Sequence, residues 1–381
     1  MKPLPLAPLA LRSVEAFVFR WPVTTPVRTS FGTMRDRPAL FIRATDVDGH
    51  SGWGEVWCNF PACGAEHRAQ LVTTVMAPLL EGSEFTGPLQ AFEHLTRRTV
   101  VLALQSGEPG PMAQTIAGID LALWDLCARR AKQPLWRFLG GSSGRIGVYA
   151  SGINPDQPEA MALAKRSEGY DAFKLKVGFG VGRDLANLHA MREAIGPYAA
   201  LMVDANQGWT LAQAIEVVPR LERFNLGWLE EPLRADRPWC EWQKLRASTA
   251  LPLAAGENIA GLQAFEDALS ASALSVVQPD AAKWGGISGC WDVVARVHAA
   301  GARFCPHYLG AGIGLLASGH LLAATGGDGW LEVDANENPL RSMLSGALDH
   351  VEAGRADLGD APGIGIDPDV EDLRRSFPTP P

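Results

Sequence analysis

From about residue 140 onward the chain repeats one unit: a short apolar run, a polar or charged residue at its end, then a helical pattern. The runs occupy residues 148–150, 172–177, 200–203, 226–229, 253–255, 273–277, 303–305 and 330–333. Helical patterns separate most of them, as at 158–168, 211–223 and 289–300. Parallel strands cannot be joined by a tight turn, so strands alternating with helices at this pitch imply βαβ crossovers. Eight strands in about 190 residues predict a (β/α) barrel. In such a barrel the C-terminal ends of all strands meet at one mouth, the face on which barrel enzymes build their sites.

The residues at those ends carry the chemistry. They are Lys176, Asp204, Glu230, Glu257, Asp280, His307 and Glu332, spaced 28, 26, 27, 23, 27 and 25 residues apart, each about one βα unit. Asp204, Glu230 and Glu257 come from consecutive strands and cannot all stay charged side by side without a cation. Three hard oxygen ligands without Cys or His select Mg²⁺, with Mn²⁺ as a substitute, whereas zinc prefers nitrogen or sulfur. Asp280 lies one strand before His307, placed to hydrogen-bond one ring nitrogen and raise the basicity of the other. Lys174 and Lys176 are two apart in an extended run, so they share a face while Phe173, Leu175 and Val177 take the other. Beside a divalent ion and Lys174, Lys176 is expected to have a depressed pKa, suited to a general base. Lysine on the second strand and histidine on the seventh would flank a substrate from two sides.

Residues 1–135 read as a small α+β domain, 136–334 as the barrel and 335–381 as a C-terminal segment. Near the start, two strand-like runs flank Asp48-Gly49, a hairpin signal. Residues 22–37 and 57–67 lack periodicity and read as loops; both are expected to close over the barrel mouth. Helices are expected at 65–80, 88–103 and 112–131, the last buried over much of its surface. Residues 363–366 form one more strand-like run in the tail.

A net charge of −8 and a pI near 5.5, with no Lys/Arg cluster, argue against a nucleic-acid or anionic-membrane partner. No apolar run reaches the length of a membrane span, and residues 4–11 are broken by Pro5 and Pro8, so no signal peptide is expected. Six cysteines (58, 63, 127, 240, 290 and 305) follow neither metal-site nor disulfide spacing, which fits a reducing cytoplasm.

Taken together, Lys174-x-Lys176, the Asp204/Glu230/Glu257 series, the Asp280–His307 pair and Glu332 resemble the mandelate racemase subgroup of the enolase superfamily. Ala-Gly-Ile-Asp-Leu-Ala-Leu-Trp-Asp at 117–125, Leu139-Gly140-Gly141 and Gly312-Ile313-Gly314 extend the resemblance over nearly the whole chain. It implies a modified (β/α)7β barrel and an N-terminal α+β capping domain completed by the C-terminal segment. It further implies that Mg²⁺ binds a substrate carboxylate and stabilises the enediolate left by α-proton abstraction. Lys176 would be one acid/base and His307 the other, with Lys174 and Glu332 helping to neutralise the substrate carboxylate. The related muconate-lactonising subgroup would place a lysine after strand six, where this chain has Asp280.

The expected reaction is dehydration of a sugar acid, a small-molecule carboxylate substrate. Racemisation, epimerisation or cycloisomerisation of a hydroxy acid or sugar-acid lactone by the same residues is the alternative, and a homo-oligomer is expected. A nicotinamide-dependent oxidoreductase is a distant third reading, resting on Gly178-Phe179-Gly180-Val181-Gly182, whose third glycine falls one place early for a dinucleotide fingerprint. Glu231 and Asn258 neighbour the ligand positions, and Lys283 and Trp284 follow Asp280 closely enough to line the mouth.

Overall fold

The computed structural model describes residues 8–28 and 32–377. Its N-terminal part is built on four antiparallel strands, β1 (Leu9–Arg28), β2 (Thr33–Asp46), β3 (Ser51–Val56) and β4 (Glu84–Phe85), in the order β3-β2-β1-β4. The hairpin between β2 and β3 turns at Asp48-Gly49, where Gly49 adopts φ +91°. Residues 22–37, read above as a loop, are instead largely strand: Pro22 pairs with Asp36, Val27 with Met34 and Arg28 with Thr33. The aperiodic sequence has a physical cause. Pro22 and Pro26 bear no N–H for a ladder, and the register shifts between Pro22 and Val27. Residues 29–31, at the end of this ribbon, lie outside the described residues.

Helix α1 (Gly64–Leu71) runs through a π-helical turn (Val72–Met76) into α2 (Ala77–Leu80), followed by α3 (Pro88–Ser106), α4 (Pro109–Arg130) and α5 (Leu135–Phe138). Leu40, Ile42 and Val56 of the sheet pack with Ile116, Ile119 and Leu123 of α4 in one core. Helix α4 crosses β3 so closely that a Cβ on Gly54 would lie 2.0 Å from the carbonyl oxygen of Gly118. Its other side, including Leu121 and Trp124, joins the barrel core, which explains why apolar residues surround it almost completely.

The barrel alternates strands β5 (Arg145–Ile153), β6 (Ala172–Lys176), β7 (Ala200–Asp204), β8 (Leu229–Glu230), β9 (Leu253–Ala255), β10 (Val276–Val277), β11 (Arg303–Phe304) and β12 (Trp330–Asp334) with seven helices. These are α6 (Pro158–Ser167), α7 (Val181–Ile195), α8 (Leu211–Leu221), α9 (Trp239–Ala247), α10 (Leu262–Ser270), α11 (Gly286–Ala299) and α12 (Gly312–Thr325). Every neighbouring strand pair is parallel, and β12 pairs with β5, giving the (β/α)7β arrangement. The seam between β11 and β12 is crossed by the Trp330 N–H, 3.4 Å from Cys305 Sγ. Alternate residues separate into two cores. Phe173, Leu175 and Val203 face the helices, while Tyr149, Ala172, Met202, Trp228 and Val276 form a plug inside the barrel.

After β12 come α13 (Pro339–Ser342), β13 (Arg355–Asp357), which pairs antiparallel with β5, and α14 (Val370–Ser376). Residues 363–366 are not a strand: Gly363 makes a single bridge to Pro134, and the Ile364 N–H donates to Asp125 Oδ1 of α4 at 2.7 Å. With Phe377 edge-on to Trp21, this segment returns to the N-terminal part. Two further ties link that part to the barrel, Arg37 to Asp334 at 2.6 Å and Ser288 Oγ to Asp120 Oδ1 at 2.6 Å. All six cysteines are unpaired, and no helix among the described residues is long and apolar enough to cross a membrane.

Candidate active site

The inward set of barrel residues ends in charge. On β6, Lys174 and Lys176 follow Ala172 on the interior face; Lys176 aligns with Asp204 on β7, and Asp204 with Glu230 on β8. Glu257, Asp280 and His307 stand two or three residues past the ends of β9, β10 and β11, and Glu332 lies on β12. The structure brings all eight predicted residues into one buried cluster. Lys174 Nζ ion-pairs with Glu230 and lies 2.7 Å from Glu332 Oε1 and 4.0 Å from Asp204 Oδ2. Lys176 Nζ donates to Asp204 Oδ2 at 2.6 Å. His307 pairs through Nε2 with Glu257, has Nδ1 2.7 Å from Asp280 Oδ2, and approaches Glu332 Oε2 to 3.8 Å.

Burial is the largest single influence on the two lysines, on His307 and on Asp204, Glu230, Glu257 and Glu332. For Lys174 it opposes the charge, but Glu230 and Glu332 outweigh it and hold the ammonium well above its ordinary range. Lys176 is also raised: burial works against its charge and Lys174 repels it, yet Asp204 prevails. The expected depression of Lys176 supposes a divalent ion that takes up the charge of Asp204; in the protein's own arrangement the carboxylate in contact outweighs the neighbouring ammonium. His307 is held well above its ordinary value by Glu257, Glu332 and Asp280 despite burial. Glu230, buried near Asp204 and Glu332, is pushed up to about 7 even with Lys174 in contact. The site therefore has more carboxylate than its own cations can neutralise. Three carboxylates from adjacent strand ends, short of positive charge, suit a hard divalent cation.

Several contributors escaped the sequence reading. Gln278 Nε2 donates to Glu230 Oε2 at 2.6 Å and Trp228 Nε1 to the same atom at 3.2 Å, orienting that carboxylate. Ser151 Oγ bonds Glu332 Oε1, and the Asn206 N–H and side chain hold Asp204 at 2.7 and 3.1 Å. Gln278 and Trp228 each lie two residues before a strand-end carboxylate, so strand alternation was an available signal. Asn258 Nδ2 donates to Glu257 Oε1 at 2.8 Å and to both oxygens of Glu231.

Lys176, Glu257 and His307 face a cavity of about 210 Å³ that Trp57, Asn59 and Phe60 of the N-terminal part also line. The segment after β3 thus sits over the barrel mouth, anchored by the Trp57 N–H on Ala282 O at 3.1 Å. The β1–β2 ribbon comes near it, a Cβ on Gly32 falling 3.4 Å from the Phe60 ring. Four larger clefts, of about 520, 430, 300 and 250 Å³, lie elsewhere and contain none of the eight charged residues. The Gly178–Gly182 turn is no phosphate cradle, because the N–H groups of Gly178 and Phe179 donate to Asp184 at 3.0 and 3.2 Å.

Residues 13–140 match the mandelate racemase / muconate lactonizing enzyme N-terminal domain, and residues 159–373 match the enolase C-terminal domain-like family. The chain belongs to the enolase superfamily, in its mandelate racemase / muconate lactonizing enzyme family. Among its relatives in this superfamily, D-galactarolactone cycloisomerase of Agrobacterium fabrum is 30% identical over 94% of this chain and 96% of its own. Arabinonate dehydratase of Saccharolobus solfataricus is 28% identical over 85% and 87%. A mandelate racemase/muconate lactonizing enzyme structure from Bordetella bronchiseptica superposes with TM-score 0.93 at 59% identity, over 97% of this chain and all of that one. A Streptomyces coelicolor racemase with bound magnesium does so with TM-score 0.86 at 28% identity, over 96% and 99%. Enolase-superfamily enzymes use Mg²⁺ and act on small carboxylates, and those related to this chain are lyases and isomerases.

Proposed function

We propose that this enzyme removes the α-proton of a sugar-acid carboxylate and completes a dehydration, with Lys176 and His307 as the acid/base pair. The observation that carries the reading is that these two groups, from β6 and from the end of β11, face one small cavity that Glu257 also lines. Asp204, Glu230 and Glu257 would hold Mg²⁺, or Mn²⁺ in its place; when bound it supplies positive charge to the substrate carboxylate and competes with the lysines for theirs. Lys174, joined to Glu332, lends a further fixed positive charge beside that carboxylate. Whichever of Lys176 and His307 faces the α-C–H takes the proton in its neutral form. The other delivers a proton to the β-hydroxyl, which leaves as water. Asp280 holds His307 in orientation through Nδ1. Trp57 and Phe60 cover the cavity and exclude water, which strengthens each of these interactions.

A second reading, cycloisomerisation of a sugar-acid lactone, is favoured by the relative of that name, whose match spans 94% of this chain. The first half-reaction is the same; the enediolate then breaks the bond between the β-carbon and the lactone ring oxygen, which stays in the molecule as a free carboxylate. A proton returns to the β-carbon, so the ring opens with no loss of water. A panel of mono- and diacid sugars and their lactones, incubated with Mg²⁺ in deuterated water, separates the two. Dehydration yields a 2-keto acid, whereas cycloisomerisation yields an isomer of unchanged mass apart from deuterium. Absence of both products and of α-deuteration across the panel would overturn the proposal.

A further inference from the structure

The cavity holds one lysine that the chemistry above leaves idle. Lys283, three residues beyond Asp280, lines it together with Lys176, Glu257 and His307. Its ammonium lies 4.7 Å from the centre of the Trp57 ring and donates to Asn258 Oδ1 at 2.8 Å. The amide of Asn258 has one possible orientation. Its Nδ2 serves Glu231 at 2.9 and 3.1 Å and Glu257 at 2.8 Å, so only the oxygen can face Lys283. An ammonium carries three N–H donors; Asn258 takes one, and an indole face attracts the charge without offering a lone pair. Among the described residues no carboxylate stands within 4.0 Å of this ammonium, although Glu231 and Glu257 feel its charge. The result is a half-buried cation, fixed in direction by an amide and a ring, with donors left for something that enters the cavity.

The geometry points to Lys283 as the anchor for a second anionic group on the substrate, besides the carboxylate that meets the ring of ligands. This rests on the proposed function, since it takes the same cavity as the substrate site, and it narrows the substrate class to sugar diacids. The dimensions suit it: about 210 Å³ is below the roughly 300–1,000 Å³ of pockets for drug-sized ligands, so both ends of a short acid touch the walls. A carboxylate is the group that an ammonium with free donors holds best, through a charge-assisted hydrogen bond. A monoacid of equal length would leave those donors facing a hydroxyl.

The test titrates the Mg²⁺-loaded protein calorimetrically with galactarate and with galactonate, which differ at the far end by one carboxylate. Wild type is expected to bind the diacid about tenfold or more tightly than the monoacid. K283M should reduce that preference to less than about threefold by weakening the diacid, and K283R should restore most of it. K283Q, which keeps a polar head, takes the place of K283M should that variant not fold. Equal affinity of wild type for both acids, or a preference that survives K283M, would overturn the assignment. So would equal loss for both acids together with weakened Mg²⁺ binding, since Lys283 would then serve the carboxylate ring instead. Absence of α-deuteration with either acid would sink the proposed chemistry and leave the preference standing, so the two failures are distinguishable.

Discussion

His307 presents Nδ1 to Oδ2 of Asp280 at 2.7 Å and turns Nε2 toward Glu257, with Glu332 Oε2 3.8 Å away. The carboxylate is itself fixed, since Asp280 Oδ1 accepts from the N–H groups of Ala282 at 2.8 Å and Lys283 at 3.2 Å. In the proposed role of general base, His307 needs both orientation and basicity, and Asp280 is placed to supply some of each. Against burial, which lowers it, the pKa of His307 is raised by Glu257, Glu332 and Asp280. Replacing Asp280 by Asn removes one of the raising influences, so the imidazole should lose its proton at lower pH. The limb of the pH–rate profile governed by His307 should therefore move to lower pH, while the rate of its half-reaction falls about ten- to a hundredfold. Pre-steady-state exchange measured across pH 5–9 checks both.

Glu230 lies at the centre of the proposed metal set, held by Gln278, Trp228 and Lys174. Glu230→Gln keeps its shape and removes its charge. Mg²⁺ affinity should fall by about tenfold or more, and activity with it, because an amide oxygen balances none of the cation's charge. Exhaustive chelation of wild type should abolish turnover, and added Mg²⁺ or Mn²⁺ should restore it. Calorimetric Mg²⁺ titration of the variant showing unchanged affinity would remove Glu230 from the set.

Glu55 of β3 accepts the N–H groups of Ala311 at 2.6 Å and Gly314 at 2.9 Å, at the start of α12. A carboxylate from the N-terminal sheet thus caps the helix that follows the His307 segment, a favourable position for negative charge. Glu55→Ala would leave two buried donors without partners, at a cost of about 2–4 kcal/mol. Urea unfolding should show that loss, with a smaller one for Glu55→Gln, which retains an acceptor.

Asp120 predicts a pH dependence of stability. Burial pushes it up to about 7, against the hydrogen bonds from Ser288. An unfolded aspartate titrates near 3.9. Between those values the folded state binds the extra proton, so this group stabilises the fold fully below about 4 and the contribution is lost as pH rises through about 7. Asp120→Asn removes that dependence. Relative to the variant, wild type should lose up to about 3–4 kcal/mol between pH 4 and 8. Parallel urea curves with a constant difference across that range would contradict the assignment.

The barrel and its charged mouth were legible because both depend on local repetition. A strand end every 23 to 28 residues needs only spacing to be seen, and Lys174 and Lys176 need only a two-residue alternation. What was missed depends on partners far away in the chain. The ribbon at residues 22–37 has no apolar alternation of its own; it exists because β2 supplies the register, interrupted at the prolines. Residues 363–366 look like a strand in isolation but find an aspartate and a single bridge instead of a sheet edge. Glu55 reads as one more residue of a half-buried hairpin, and only its approach to Ala311, 256 residues away, shows what it holds.

The arrangement of Lys176 and His307 makes the most demanding prediction. The two groups enter the cavity from strands separated by β12 and β5, and each has its own carboxylate partner, Asp204 for the lysine and Asp280 for the histidine. If they flank the α-carbon on opposite faces, each can remove a proton only from the configuration that points at it. His307→Asn should then abolish solvent-deuterium incorporation into one configuration of a substrate and leave the other exchanging. Lys176→Ala should do the reverse, provided that Mg²⁺ titration shows the metal site intact without that ammonium beside Asp204. General bases contribute about a hundred- to ten-thousandfold, so each loss lies far above the error of a mass-spectrometric or NMR measurement. If both variants kept exchange from both configurations, neither residue would be the base. If each variant stopped exchange from both, the two would act in series on one face, and the reading of opposed bases would have to be given up.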